Sequence, residues 1–222
     1  MDSEIENSSA PIMEHLIELR TRIIRSLLAF IVTMCISFFF ADDIFNFLSL
    51  PIINLLNSYE QSTELIYTGL QQGFMVHIKI SIFAGFLFAF PFISFQLWRF
   101  VAPGMYKNEK NAFLPFLISS PLLFILGAAF AFYVVMPLAF DFLLKFQQNQ
   151  GDGMVEMLKI KYLGSINEYL SLTMAFIIAF GLCFQLPVLL TLLGKVGLVT
   201  SSGLVTFRKY AVVSILILAA LV

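Results

Sequence analysis

The chain has 222 residues, 59% of them hydrophobic and 12% charged, with a formal net charge of −1. A soluble domain carries about 25% charged residues, and the mean hydropathy of +0.91 points further away from that class. Near-neutral charge excludes a bulk nucleic-acid binder. Two histidines and two cysteines at unrelated positions give no metal-ligand spacing and no disulfide framework. No Gly-x-Ser-x-Gly or His-Glu-x-x-His motif occurs, so neither an enzyme nor a cofactor is expected.

Residues 1–11 are polar and acidic, with no basic stretch leading into a short apolar core. They do not read as a cleaved signal peptide but as a disordered cytoplasmic tail, followed by one transmembrane domain over residues 12–222. A spanning helix needs about 20 mostly apolar residues. Uncharged runs of 16 residues between Arg25 and Asp42, 19 between Lys79 and Arg99, 30 between Lys110 and Asp141, and 26 between Glu168 and Lys195 locate the candidates. The expected spans are roughly 22–41, 73–99, 112–138 and 167–194, with a fifth from about 206. That fifth run stops at Val222 with no polar flank, so the sequence is expected to be part of a longer chain.

Basic residues in short loops orient the bundle. With the N-terminus in the cytoplasm, nine basic residues fall inside (Arg20, Arg22, Arg25, Arg99, Lys107, Lys110, Lys195, Arg208 and Lys209) and four outside. The outer segments near 42–72 and 139–166 are too apolar for plain linkers and are expected to form short helices capping the bundle, with Pro51 as a structural feature of that cap. Pro91, Pro115, Pro121, Pro137 and Pro187 are expected to kink their helices into a concave face. Gly85, Gly127, Ala128, Ala129 and Gly181 would let helices approach closely. The fold class is therefore an all-α integral membrane bundle. Cys35 and Cys183, each in an apolar run, read as small buried hydrophobes. The 26 phenylalanines against one tryptophan suit lipid contact and helix packing.

Three polar features stand out. Before the first span, Met13 to Arg22 form an amphipathic lead-in in which Glu18 can meet Arg22 at i,i+4; it is either a solvated helix end or an acidic spot for a cationic ligand. Between the second and third spans, Gln96 to Lys110 carries the Pro103-Gly104 turn, interfacial Trp98 and Tyr106, and Glu109, the one acid among three basic residues. Glu109 either balances charge or serves a site. Gln185 lies deep in the fourth apolar run, where it either bonds a neighbouring helix or lines a polar groove. His77 and Lys79 read as interfacial anchors.

The two cytoplasmic segments "HLIELRTRI" and "QLWRFVAPGMYKNEKNAFLP" together resemble the TatC family, the core receptor of the twin-arginine protein translocase. "LSLPI", "FYVVMPLAFDFL", "YLSLTMAFIIAFGLCFQLPVLL" and "FRKY" agree with it in order and spacing, so the likeness runs from about residue 12 onward. The resemblance implies six spans with both termini cytoplasmic, of which the sixth and the acidic motif after the fifth are missing here. It implies binding of twin-arginine signal peptides of folded cargo by Glu18 and Glu109, on a surface shaped by Leu16, Arg20, Phe100 and Pro103. It further implies assembly with single-span TatA- and TatB-type subunits and with other TatC copies, for export driven by the proton-motive force across a bacterial inner membrane. Gln185 stands where the family often has Glu, which keeps hydrogen bonding but removes a titratable group. With Gln96 it is expected to make polar contacts in the groove or with a partner. The alternative from the residues alone is a small-molecule or ion transporter, against which only one strongly polar side chain at depth, Gln185, argues.

Overall fold

The computed structural model describes residues 2–59, 65–101, 110–151, 164–195, 203, 208–209 and 212–213. Helix α1 spans Asp2–Phe39, and α2, Ala41–Ser58, follows it after one turn residue. Strand β1 is Leu65–Ile66, and α3 is Gln72–Val101. The third long element is α4, Lys110–Phe130, continued through a π-helical turn, Ala131–Val135, into α5, Met136–Gly151. Strand β2, Gly164–Ser165, leads into α6, Ile166–Cys183, and α7, Leu186–Lys195. Among the described residues, four stretches are long and apolar enough to cross a membrane: His15–Phe39, Gln72–Phe100, Leu117–Lys145 and Ile166–Gly194. They bear out the helical membrane bundle expected from sequence; most of the fifth expected span lies outside the described residues.

Several boundaries differ from expectation. The 38 residues of α1 rise about 57 Å, nearly twice the hydrocarbon thickness, so α1 runs well beyond the membrane. It includes residues 2–10, which read from sequence as a tail. Those residues contain no glycine, and extending an existing helix requires no new nucleus. The third span does not end near 138: Asp141 and Lys145 sit in a helix that continues to Gly151, because their mutual i,i+4 pair at 2.7 Å satisfies both charges on the helix surface. Within the outer segments expected to form short helices, β1 and β2 instead pair in parallel, Leu65 with Gly164 and Ile66 with Ser165. Of the five prolines expected to kink helices, Pro91, Pro115 and Pro121 lie within unbroken α-helix. Regular α-bonding is interrupted beside the other two. Pro137 follows the π turn, and Pro187 follows the break at Phe184–Gln185, where the missing N–H leaves the ladder unable to continue.

The main core lies in the half of the bundle capped by α2. Leu48, Ile52 and Leu56 from α2 meet Val76, Ile80 and Phe83 from α3, Met136 and Phe140 from α5, and Tyr169, Leu170 and Met174 from α6. Tyr169 donates its hydroxyl to the Leu48 carbonyl at 2.6 Å, beside Pro51, which lies half-buried inside α2. Polar pins close the same end. The Tyr59 hydroxyl donates to Asp141, and this bond holds the phenol above its ordinary pKa. His77 lies 2.8 Å from Asp42 of α2, and Lys79 donates to Asn167 of α6 at 2.6 Å. The two expected interfacial anchors thus tie α3 to its neighbours.

Helix contacts deeper in the membrane rest on small residues. Thr33 of α1 donates to the Gly85 carbonyl of α3 at 2.8 Å, and a Cβ added at Gly85 would lie 2.7 Å from the Met34 Cα. At the α4–α6 contact a Cβ on Gly127 would lie 2.7 Å from the Phe180 carbonyl oxygen, and one on Gly181 would strike the Phe124 ring. Just beyond, Ser120 donates to Gln185 Oε1 at 2.7 Å, and Gln185 Nε2 donates to the Ser120 carbonyl at 2.8 Å. Cys35 and Cys183 are exposed, not buried as the sequence suggested. In a bilayer an outward apolar face is as suitable for a thiol as the interior, so hydropathy alone does not separate the two.

Two outcomes follow from this packing. Gly85→Ala pushes α1 from α3 and is expected to cost about 1–3 kcal/mol, read as a lowered unfolding midpoint of the purified protein in detergent. Gly73→Ala, where a Cβ meets nothing within 4 Å, leaves that midpoint unchanged or raised. For the Ser120–Gln185 pair, a cycle of Ser120→Ala, Gln185→Leu and the double variant is expected to give a coupling of about 0.6–2 kcal/mol. A coupling near zero would mean that the pair does not join the helices.

Candidate functional site

The His15–Arg22 stretch of α1 and the C-terminal end of α3 meet at the end of the bundle that the basic residues assign to the cytoplasm. Helical spacing sets His15, Glu18 and Arg22 on one side of α1, three and four residues apart. Arg22 donates from Nε at 3.0 Å and from Nη2 to the same oxygen, Glu18 Oε1. Its Nη1 reaches across to Gln96 Oε1 of α3 at 3.3 Å. One guanidinium therefore bridges the acid of α1 and the buried amide of α3. Glu18 remains about one-third exposed, and its second oxygen, Oε2, has a 3.9 Å contact with His15 Nδ1.

A ring contact holds the next turn. His15 stacks on Phe100 with centroids 4.2 Å apart and planes 17° from parallel. Phe100 is the penultimate residue of α3, so this stack fixes where the chain leaves the second span. Below it lies a groove of about 340 Å³ between α1 and α3, lined by Leu19, Ile23, Leu27, Ile93 and Leu97, with Arg22 and Gln96 at its polar end. The site is thus a carboxylate already matched to a guanidinium, set at the mouth of an apolar channel. Chemically it suits a ligand with a cationic, donor-rich head and an apolar continuation.

The sequence candidates distribute unevenly over this geometry. Glu18, Gln96 and Phe100 come together. Leu16 and Arg20 share an exposed face of α1 and do not line the groove. Glu109 and Pro103 lie outside the described residues. Gln185 is engaged by Ser120 of α4, away from this groove. Two residues were missed as site members: His15, and Arg22 in its bond to Gln96. The i,i+4 spacing of Arg22 and Glu18 was legible, but the contact with α3 needs the tertiary structure. An aromatic-like ring one turn before Glu18 was the available signal for His15.

Comparison with known proteins identifies the family. The family model for TatC, the Sec-independent protein translocase protein, matches residues 14–222. The TatC protein of Magnetococcus marinus is 43% identical over 221 residues, covering 100% of this chain and 77% of that protein. TatC of Aquifex aeolicus is 42% identical over 212 residues, covering 96% and 84%, and that of Escherichia coli K12 is 36% identical over 211 residues, covering 95% and 77%. A crystal structure of the twin arginine translocase receptor TatC superposes with a TM-score of 0.77 at 42% identity, covering 93% of this chain and 86% of that one. This chain belongs to the TatC family of Sec-independent protein translocase components, and it is a multi-pass protein of the bacterial inner membrane.

Proposed function

We propose that this chain is the receptor of a twin-arginine translocase and that Glu18, together with Glu109, binds the arginine pair of a signal peptide carried by folded cargo. The observation that supports this most is the Glu18–Arg22–Gln96 bridge. At the mouth of the groove, the protein already holds a guanidinium against a carboxylate and a carbonyl-type oxygen. Glu18 Oε2, whose one contact among the described residues is the long one to His15, is the oxygen we assign to a second guanidinium. Planar guanidinium groups reward such acceptors in a way that a lysine ammonium does not. The stack of His15 on Phe100 holds the C-terminal turn of α3 beside the turn of α1 that carries Glu18. Pro103 would set the turn in that segment, and Leu16 and Arg20 would border the bound peptide. The apolar residues after the arginines would continue along the groove. Single-span subunits, further TatC copies and coupling to the proton-motive force complete the reading. The domain reading that goes with it is one transmembrane domain from residue 12, preceded by a polar N-terminal extension of α1.

The test is binding or site-specific crosslinking of a twin-arginine signal peptide to the parent protein, Glu18→Ala, Glu109→Ala and the double variant. A peptide with both arginines changed to lysine serves as the specificity control. Each single variant is expected to weaken binding about ten- to a hundredfold, the cost of removing a charge-assisted hydrogen-bond partner. Unchanged binding in all three variants would reduce both acids to charge balance. No arginine-dependent binding by a folded parent protein would sink the receptor reading.

A further inference from the structure

A second groove, of about 390 Å³, opens at the opposite, outer end of the bundle. Its floor is buried and apolar: Leu48 of α2, Phe83 and Ala84 of α3, Phe132 of the π turn and Ile177 of α6. Its rim is open, with Phe88 and Tyr133 each 67% exposed. The π turn contributes to the opening, since Phe132 and Tyr133 belong to it and Ala128 and Ala129 lie in the helical turn before it. Alanines there leave the space that larger side chains would fill. Water cannot occupy such a space stably, because a buried water needs two to four polar partners. A flexible hydrocarbon chain matches the apolar walls of this open groove.

Among the described residues, the one acidic or basic side chain lining this groove is Asp43, in the first turn of α2. Its neighbour Asp42 is taken by His77 at 2.8 Å, whereas Asp43 has no ion-pair partner among the described residues. A carboxylate at the outer membrane surface, above an apolar slot, disfavours an anionic headgroup and favours a cationic one with N–H donors. We propose that this groove is a lipid site. An acyl chain of an outer-leaflet phospholipid lies between α3 and α4 under α2, and its primary ammonium headgroup pairs with Asp43. The site lies at the far end of the bundle from the Glu18 groove and does not depend on how that groove is used.

The test uses the full chain purified in detergent and exposed to an equal mixture of phosphatidylethanolamine, phosphatidylglycerol and phosphatidylcholine with identical acyl chains. Retained lipid is counted by native mass spectrometry. Phosphatidylethanolamine is expected in about two- to fivefold excess over the other two, as a surface ion pair allows. Asp43→Asn removes that excess while total lipid stays bound. Ala129→Leu, which fills the slot, lowers retention of all three lipids. Equal retention of the three by the parent protein, or an excess that survives Asp43→Asn, overturns the headgroup assignment. Retention unchanged by Ala129→Leu overturns the groove. The Asp43→Asn arm alters only an exposed side chain, so it decides the headgroup without disturbing the packing.

Discussion

In a hydrocarbon environment the hydrophobic effect no longer drives helix against helix, since lipid tails solvate apolar side chains as well as a protein core does. What remains is close backbone approach and hydrogen bonds that water cannot replace. Three inter-helix bonds in this bundle use the same device: a side chain donates to a backbone carbonyl that its own helix already engages. Thr33 does so to Gly85, Tyr169 to Leu48, and Gln185 to Ser120. A carbonyl has a second lone pair, so each bond adds a tether between helices without taking anything from the ladder. Two of the three lie beside a small-residue contact, where Gly85 meets Met34 and Gly181 meets Phe124, and the third lies beside Pro51.

The cytoplasmic end follows a different logic, because charges can survive there. Arg22 is only 13% exposed in its side chain, yet it is satisfied by Glu18 on its own helix and Gln96 on the next. A buried guanidinium left without partners would be costly, so the bridge both fixes the α1–α3 angle and keeps a carboxylate half in water. Stability and recognition are thus carried by one set of atoms. The outer end uses weaker and more exposed pairs, such as His77 with Asp42 and Lys145 with Asp141, around a larger apolar core.

Much of this was legible in the sequence for reasons that can be named. Long gaps between charges fixed four spans because a bilayer tolerates few ionised groups, and the i,i+4 relation of Glu18 and Arg22 follows from helix geometry alone. The small residues Gly85, Gly127 and Gly181 announced close contacts. The misses have equally definite causes. Lys145 and Asp141 suggested an end to the third span because their mutual neutralisation on one helix face is invisible to a count of charges. The pairing of β1 with β2 joins residues about a hundred positions apart, and two-residue strands leave no periodicity. The outward position of Cys35 and Cys183 could not be inferred from apolar neighbours, since in this environment both faces are apolar. Gln96 was flagged as polar, but its partner lies 74 positions away.

The π turn at Ala131–Val135 has a consequence for the reading of the third span as a whole. An extra residue in one turn advances everything after it by about 100° around the helix axis. Ser120, Phe124 and Gly127 face α6 in the inner half, while Met136, Phe140 and Leu144 fill the α2-capped core in the outer half. The turn therefore acts as a phase shift between two packing patterns written in one continuous segment. Loss of a single residue there would leave both halves intact as helices yet turn Met136, now fully buried, toward the lipid, and swing Asp141 away from Tyr59. Length at this position is thus as tightly specified as composition is elsewhere in the bundle.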